Sequence, residues 1–259
     1  MTQLDLAFLA NLTYSRKQAM KSLSLVIPNV AACAVPHNMH LHKSRVSMEQ
    51  VLVRQPQIQI VPTYDKLKEK TFPVVSGVKG MTFALIDLSD APDILGALKT
   101  SEAPECELDA EWAPSFTGAL YYKRLDSLVQ DKEPTIHTIQ ARMIAQNIED
   151  PGTGSACCAL AGYLATNEMK DLEPKAKEAS SEDDDLTKKT EEIRLEDKKE
   201  SSHERHVYAV QQGVEMGRLC TIAVEVDLEI QADGSKKIVN ITLSGRANFF
   251  ASGQLAAHP

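Results

Sequence analysis

The chain lacks the features that mark several large protein classes. It has no apolar run long enough to cross a membrane. It has no excess of basic residues, since the net charge is -8 and the pI is near 5.4; neither a nucleic acid nor an anionic membrane surface is therefore an expected partner. Its five cysteines form an odd set without a Cys-x-x-Cys pair. That favours reduced thiols and a cytoplasmic protein over a disulfide framework.

Two common nucleotide-binding motifs are also missing. The main glycine-containing stretch, residues 149–161, reads EDPGTGSACCALA. No Gly-Lys-Ser/Thr follows it, as a P-loop requires, and it is not the Gly-x-Gly-x-x-Gly turn of dinucleotide sites. The composition, 43% hydrophobic and 25% charged, is otherwise that of a soluble globular protein. A length of 259 residues is enough to bury a substantial core.

The same stretch predicts the start of a helix and a site for an anion. Thr153 is the expected N-cap, because its hydroxyl can accept from an amide of the first turn. The amides of Gly154, Ser155 and Ala156, together with the helix dipole, favour a carboxylate or phosphate. Asp150 stands at the rim, where it could transfer a proton or hydrogen-bond a polar substrate. An ordinary capped helix with a surface aspartate explains the same spacing, and spacing alone favours that simpler interpretation.

Hydrophobic patterns along the chain predict many strands around one main helix, which is an α+β fold. The predicted strands are 58–60, 74–75, 81–88, 118–123, 135–143, 220–230 and 239–243, with another beginning at 245–247 and closing through a turn at 252–253. The predicted helices are a short helix or turn at 65–70, a short helix from Pro92 and the main helix at 154–166. Asp233-Gly234 predicts a type I′ hairpin turn.

The amino-terminal residues 1–50 are the least legible part of the chain. A short helix is indicated between Leu4 and Leu12, and residues 22–35 fit a strand or a helix equally well. His37, His40 and His42 lie close together, which suggests a metal. Because no cysteine or carboxylate cluster accompanies them, a polar loop is the better interpretation, and no metal site is assigned.

Residues 170–205 are dense in Lys, Glu, Asp and Ser. Such a segment buries too little apolar surface to offset its ordering entropy. We therefore predict a disordered or loosely helical acidic insertion. Docking of partners by this segment is an alternative.

Four blocks in order resemble a known family. They are residues 141–144 (ARMI), 149–160 (EDPGTGSACCAL), 212–218 (QGVEMGR) and 244–247 (SGRA). Together they resemble the C-terminal half of the phenazine-biosynthesis PhzF-like isomerase/epimerase family, which is related in fold to diaminopimelate epimerase. Residues 74–88 also resemble the region where that family's chain crosses into its second half.

The resemblance implies two similar lobes, each a mixed β-barrel around a central helix, with the site in the cleft between them. In this chain residues 1–55 would be a divergent remnant of the first lobe and residues 56–259 the complete second lobe, with 154–166 as its central helix. The implied substrate-binding residues are Gly154, Ser155, Ala156, Gly213, Gly217 and Arg218, and the implied catalytic residue is Asp150.

The resemblance implies proton transfer on a small carboxylated metabolite, without cofactor or metal. The family's catalytic Glu lies in an Asn-Leu-Ser-Glu-Thr motif, followed by Gly-His-Ala/Pro-Thr. The nearest stretch here, residues 11–15 (NLTYS), lacks the Glu, and no Gly-His-x-Thr occurs. The chain thus resembles an isomerase of this family that is shortened at its amino terminus, and the sequence as given does not decide whether it is active without the first-lobe Glu. The alternatives are a non-catalytic carboxylate-binding or scaffold protein, and a half-size chain that forms a homodimer.

Overall fold

The computed structural model describes residues 30–130, 133–168, 203–231 and 233–247. Ten strands make up one mixed sheet. They are β1 (Val30–Ala34), β2 (His40–Ser47), β3 (Thr71–Val78), β4 (Met81–Asp87), β5 (Phe116–Gln130), β6 (Glu133–Ala145), β7 (Ile148–Asp150), β8 (His203–Gln212), β9 (Cys220–Ile230) and β10 (Lys236–Arg246). The sheet-dominated α+β class predicted from the sequence is confirmed.

The sheet is mixed because the chain crosses over twice. The strand order is β1-β10-β9-β8-β6-β5-β4-β3-β2, and β7 pairs with β6 alongside this path. The pairs β4–β5 and β6–β8 are parallel, and the other pairs are antiparallel. The first crossover carries residues 88–115 and the second contains the main helix, as parallel pairs require.

In the described part of the chain, three α-helices accompany the sheet: α1 (Met48–Arg54), α2 (Ile94–Ala97) and α3 (Gly154–Tyr163), the last continuing into a π-helical turn, Leu164–Glu168. None of the described helices is long and apolar enough to cross a membrane. α3 packs against β3, β4, β9 and β10. Its small residues 156–162 are all buried, so the surrounding strands can approach the helix on every side.

The segment 35–39 bridges the two ends of the strand order. The N–H of Val35 donates to the carbonyl of Ile241 in β10 at 2.9 Å, and the N–H of Asn38 donates to the carbonyl of Gly77 in β3 at 2.9 Å. The end strands β1 and β2 do not pair with each other in the described sheet. The predicted barrel is therefore not closed by strand pairing, and this segment covers the gap.

Hydrophobic cores lie on both faces of the sheet. The inner core surrounds α3, and a second core lies on the opposite face of β2–β5 beneath α1 and α2. β4 contributes to both, with Phe83 and Leu85 inside and Ala84 and Ile86 outside. A strand buried on both faces reads as a continuous apolar run, which is why its sequence predicts it so directly.

Several predicted elements need correction. Residues 58–60 belong to a 3₁₀ helix, Pro56–Ile60, in which Ile58 is buried and Ile60 is exposed; Pro56 suits a first helical position and has no N–H for a sheet. The region of 65–70 holds a 3₁₀ turn, Tyr64–Lys66. β10 runs through Arg246, so no new strand begins at 245.

Corrections also apply to the turns and the histidines. At the β9–β10 hairpin the N–H of Gly234 donates to the carbonyl of Gln231 at 2.9 Å, so Gly234, with φ 80°, is the last residue of the turn and not one of its two central residues, as a type I′ turn at Asp233-Gly234 requires. His40 and His42 lie on strand β2, not in a polar loop. β8 begins at His203, inside the range assigned to the acidic insertion. The rest of that insertion, the helix at 4–12 and the turn at 252–253 lie outside the described residues.

Residues 30–55 share the sheet and cores with the rest of the chain. β1 pairs with β10 and β2 pairs with β3, while Val46, Met48 and Val51 belong to the second core. No break in the sheet falls at residue 55. The origin of residues 1–55 as a remnant of a first lobe stays a prediction.

Candidate functional site

The turn that leads into α3 is organised by Asp150. Its Oδ1 accepts from the N–H of Gly152 at 3.0 Å, and its Oδ2 accepts from the hydroxyl of Thr153 at 2.6 Å. Thr153 occupies the predicted N-cap position, but its hydroxyl makes no capping hydrogen bond to the helix. The predicted capping bond is wrong, because a charged acceptor three residues earlier competes for the same hydroxyl.

The first turn of α3 consequently keeps its amides open. The first helical hydrogen bond runs from the N–H of Cys157 to the carbonyl of Thr153 at 3.2 Å. Within the described chain, no hydrogen bond is made by the N–H groups of Gly154, Ser155 or Ala156. Ser155 is exposed and Ala156 is buried. These are the orphan donors of a helix start, and they carry its positive partial charge.

A buried glutamine adds a further donor at this end of α3. The Oε1 of Gln212 accepts from the N–H of Thr153 at 2.6 Å. Its Nε2 is buried and has no partner among the described residues. An orphaned buried donor costs about 1–3 kcal/mol. Gln212 is the first residue of the block 212–218 in the family resemblance. Its side chain contacts Thr153, which lies 59 residues earlier in the chain, so the sequence alone does not show this role.

The turn between β8 and β9 packs against the turn before α3. Gly213 has φ 69°, and the N–H of Arg218 donates to its carbonyl at 2.8 Å. A Cβ at Gly213 would lie 2.4 Å from the Arg218 carbonyl oxygen and 3.0 Å from Cβ of Pro151. The structure thus brings Gly213 and the backbone of Arg218 beside the Asp150 turn. Gly217 has φ 65° with open space around it.

The turn between β8 and β9 also contains Arg218. Its side chain is exposed, and it makes no ion pair or hydrogen bond with the residues that the structure describes. A small cavity of about 50 Å³ reaches the same helix end; it is lined by Ser155, Cys158 and mostly apolar residues of the 35–39 segment, β3, β4 and β10. The open amides of Gly154 and Ser155 attract an anion, and the apolar lining of the cavity beside Ser155 suits a small apolar group.

A buried ion pair that sequence reasoning missed holds the hairpin before this turn. Arg142 of β6 donates through Nε and Nη2 to both carboxylate oxygens of Glu149 at 2.9 and 2.6 Å. Its Nη1 donates to the carbonyls of Leu95 and Leu98. The two-residue turn between the strands has positive φ at both Gln146 and Asn147, as in type I′. Arg142 therefore fixes the position of Asp150 next to Glu149.

A second polar cluster lies on β2, away from the α3 turn. His40 Nε2 is 2.7 Å from Asp109 Oδ2, and the backbone N–H of Asp109 donates to His42 Nδ1 at 3.1 Å. His42 Nε2 is 2.9 Å from Ser76 Oγ. From there hydroxyl contacts continue through Thr82 at 2.6 Å to Ser115 at 2.8 Å.

Ser76, His42 and Asp109 resemble a catalytic triad in composition but not in function. Because His42 Nδ1 accepts a backbone N–H, the proton of the neutral ring is on Nε2, which then donates to Ser76. A triad histidine must instead accept the proton of its serine. Ser76 is also completely buried. The cluster is a hydrogen-bonded network, not a nucleophilic site.

A cavity of about 440 Å³ lies at the carboxyl end of α3. It is lined by residues 37–41, Val75, Tyr163, Thr166, Asn167, Lys236 and Ile238. None of the predicted site residues contributes to it, since those cluster at the amino end of the helix. The two ends of α3 therefore offer two separate places for a small molecule.

Comparisons with known proteins give a distant structural similarity. No protein-family profile and no curated protein matches the chain. Among solved structures, the chain is similar to a phenazine biosynthesis protein of the PhzF family from Bacillus anthracis, with a TM-score of 0.40 and 13% identity. The similarity covers 84% of this chain and 57% of that one, so the chain spans little more than half of that protein's length.

The inner face of β6 carries a histidine that should make stability depend on pH. Burial, with smaller effects from His206 and Arg124, lowers the pKa of His137 from 6.5 to about 4. As pH falls through this window, the unfolded chain binds a proton that the folded protein excludes, so stability decreases. The shift corresponds to about 3 kcal/mol, and solvent screening of the half-buried ring reduces it to about 2 kcal/mol.

We expect the wild type to lose about 2 kcal/mol more stability than His137→Gln between pH 7 and pH 4.5. Urea unfolding at the two pH values measures this loss. His203→Gln, which removes an exposed histidine from β8, should behave like the wild type. An equal loss in the wild type and His137→Gln would contradict the assignment.

Proposed function

We propose that this protein binds a small carboxylated metabolite at the amino end of α3. The observation that carries the proposal is the uncapped first turn. The hydroxyl of Thr153 is engaged with Asp150, so the amides of Gly154 and Ser155 keep their donors for a ligand. Amides at a helix start attract anions through hydrogen bonds and through the helix dipole.

Three neighbouring features support a carboxylate over a larger anion. The exposed side chain of Arg218, in the turn that packs against Pro151, can offer a charge-assisted contact, and Gln212 Nε2 is a buried donor without a partner in the described chain. The cavity beside Ser155 is apolar and only about 50 Å³, which suits a few carbon atoms. The proposed ligand is therefore a carboxylate with a short apolar group.

The proposal extends to cofactor-independent proton transfer of the PhzF-like isomerase type, with Asp150 as acid/base. The four ordered sequence blocks support this extension. Both oxygens of Asp150 accept hydrogen bonds within its own turn, so proton transfer requires one of these bonds to open. The family relationship, the cleft between lobes and the roles of Gly213, Gly217 and Arg218 in holding substrate are part of the same proposal.

Non-catalytic carboxylate binding is the second candidate function. Two observations favour it: the occupied oxygens of Asp150 and the missing Asn-Leu-Ser-Glu motif. Proton transfer needs a free acid/base group positioned against the substrate, whereas anion binding needs only the donors. Homodimer formation and partner docking by the acidic segment stay predictions.

Binding is tested by titrating a panel of small aromatic and amino-acid carboxylates into ¹⁵N-labelled protein. We expect the amide resonances of Gly154 and Ser155 to shift. Arg218→Ala should weaken binding about tenfold, because a charge-assisted hydrogen bond contributes about 1.5 kcal/mol or more. Arg54→Ala, at the end of α1 on the opposite face of the sheet, is the matched control. Unshifted amides across the panel would exclude the site.

The two candidate functions differ in deuterium uptake. In D₂O an isomerase exchanges the proton next to the carboxylate of its substrate, and Asp150→Asn should abolish that exchange. The melting temperature of this variant should be nearly unchanged, because the asparagine amide can still accept one of the two hydrogen bonds of Asp150. Shifted amides without any exchange would instead support the binding protein.

A further inference from the structure

We propose that His40, His42 and Asp109 form a binding site for a divalent transition-metal ion, with Zn²⁺ as the representative. This site is independent of the carboxylate site proposed above. One ligand atom from each of the three side chains lies within 4.8 Å of the others. Two imidazoles and one carboxylate are a donor set that suits Zn²⁺ and other first-row divalent metals.

The fold brings these donors together from distant parts of the chain. His40 and His42 are two residues apart on strand β2, but their rings meet edge to face with centroids 4.7 Å apart. Asp109 comes from the loop before β5, 67 residues beyond His42. The missing carboxylate was the reason for assigning no metal to the histidines from sequence, and the tertiary structure supplies it.

The distances are close to those that a metal requires. Asp109 Oδ2 lies 2.7 Å from His40 Nε2 and 3.9 Å from His42 Nδ1. Ligands about 2.0–2.2 Å from a tetrahedral Zn²⁺ are separated by about 3.4 Å. Side-chain movements of about 1 Å therefore suffice to place an ion among the three atoms.

The surroundings of His42 prepare its Nδ1 for this role. Nε2–H donates to Ser76 Oγ at 2.9 Å, and Ser76 is held in turn by Thr82 at 2.6 Å. A hydrogen bond from the distal ring nitrogen fixes the tautomer and the orientation of a metal-bound histidine. The Nδ1 lone pair accepts the N–H of Asp109 at 3.1 Å, and Asp109 Oδ2 lies 3.9 Å from the same nitrogen.

His40 is oriented by a different contact. The indole of Trp112 stacks on its ring at a centroid distance of 4.5 Å and an angle of 7°, which limits the rotation of the imidazole. The side chains of His40 and Asp109 are 30% and 25% exposed, while that of His42 is fully buried. An ion can therefore enter from the solvent side, and three protein ligands leave a fourth position for water.

The local charge also suits a divalent cation. Metal binding requires neutral imidazoles and an ionised carboxylate, which together carry one negative charge. The ion replaces the His40–Asp109 ion pair and the hydrogen bond from the Asp109 amide to His42. Affinity should consequently be lower than that of a preformed four-ligand zinc site.

Isothermal titration of the full-length, tag-free protein with ZnCl₂, repeated with CoCl₂, tests the proposal. We expect one ion per chain, and a melting temperature that rises with Zn²⁺ because the ion binds only the folded state. Asp109→Asn and His40→Ala should each weaken binding at least tenfold. Both positions are partly exposed, so these variants should fold. The Co²⁺ complex should show the visible absorption of a nitrogen- and oxygen-ligated ion in the wild type only.

His37→Ala is the matched control. His37 belongs to the same histidine-rich stretch, but within the described chain its ring nitrogen lies 3.3 Å from the carbonyl of Val35, and it is not part of the cluster. Its Zn²⁺ affinity should equal that of the wild type. The proposal is overturned if the wild type binds no ion, or if Asp109→Asn and His40→Ala bind as tightly as the wild type, which would place the ion elsewhere.

Discussion

Replacing Arg142 with leucine is expected to destabilise the protein by about 3–5 kcal/mol, because it leaves the Glu149 charge buried without a partner. The two side chains are only 7% and 5% exposed, and they form a two-point ion pair. The change also removes the donor to the carbonyls of Leu95 and Leu98. The loss therefore exceeds that of an ordinary surface ion pair.

A double variant separates the cost of the unpaired buried charge from the cost of the lost hydrogen bonds. In Arg142→Leu/Glu149→Leu no charge remains buried, so the double variant should be more stable than Arg142→Leu alone. Chemical denaturation of the wild type, both single variants and the double variant measures the coupling. Arg54 and Glu105 form an exposed ion pair at 3.7 Å, in which the side chains are 32% and 89% exposed. Arg54→Leu should therefore lower the free energy of unfolding by less than about 1 kcal/mol.

The same variants report on the candidate site. Since Glu149 directly precedes Asp150, loss of the ion pair should loosen the turn that leads into α3. We expect carboxylate binding to weaken together with stability. Arg142→Leu with wild-type stability would contradict the buried-pair assignment.

The second large effect is expected at Gly213. Gly213→Ala should destabilise the protein by about 3 kcal/mol, from about 1–2 kcal/mol for a left-handed backbone at a residue with a Cβ and the remainder from steric overlap. The overlap is severe because the added Cβ would lie 2.4 Å from the Arg218 carbonyl oxygen. Backbone must move to relieve it.

Gly217 provides the matched control for this prediction. Its φ of 65° is close to the 69° of Gly213, but nothing lies within 4 Å of its Cβ position. Gly217→Ala should therefore show only the backbone cost, about 1–2 kcal/mol. Thermal and urea unfolding measure both variants. Equal losses at the two positions would show that the close packing against Pro151 and Arg218 is not important for stability.

Local pattern was sufficient for the regular elements of the sheet and for the main helix. Strict alternation predicted 220–230, and the strand Cys220–Ile230 has these bounds. The apolar run of β4 and the small residues of α3 were equally direct signals. An element that is buried on all sides has apolar or small residues at nearly every position, and the sequence shows this directly. At 56–60 the alternation of apolar residues misled, because a strand would place Ile58 and Ile60 on the same face, whereas in the 3₁₀ helix Ile58 is buried and Ile60 is exposed.

By itself, the sequence determined the α+β class and the main helix α3, while the grouping of Gly154, Ser155, Gly213 and Arg218 into one substrate site is what the family resemblance implies and stays a prediction. Only the tertiary structure decided the partners of the polar side chains. The Thr153 hydroxyl donates a hydrogen bond to Asp150 and does not cap its helix. Asp109 contacts His40 and His42, which lie 69 and 67 residues earlier in the chain. Backbone periodicity is a local property that a sequence displays directly. A hydrogen bond between distant side chains exists only after the sheet has set their distance, so no local pattern contains it.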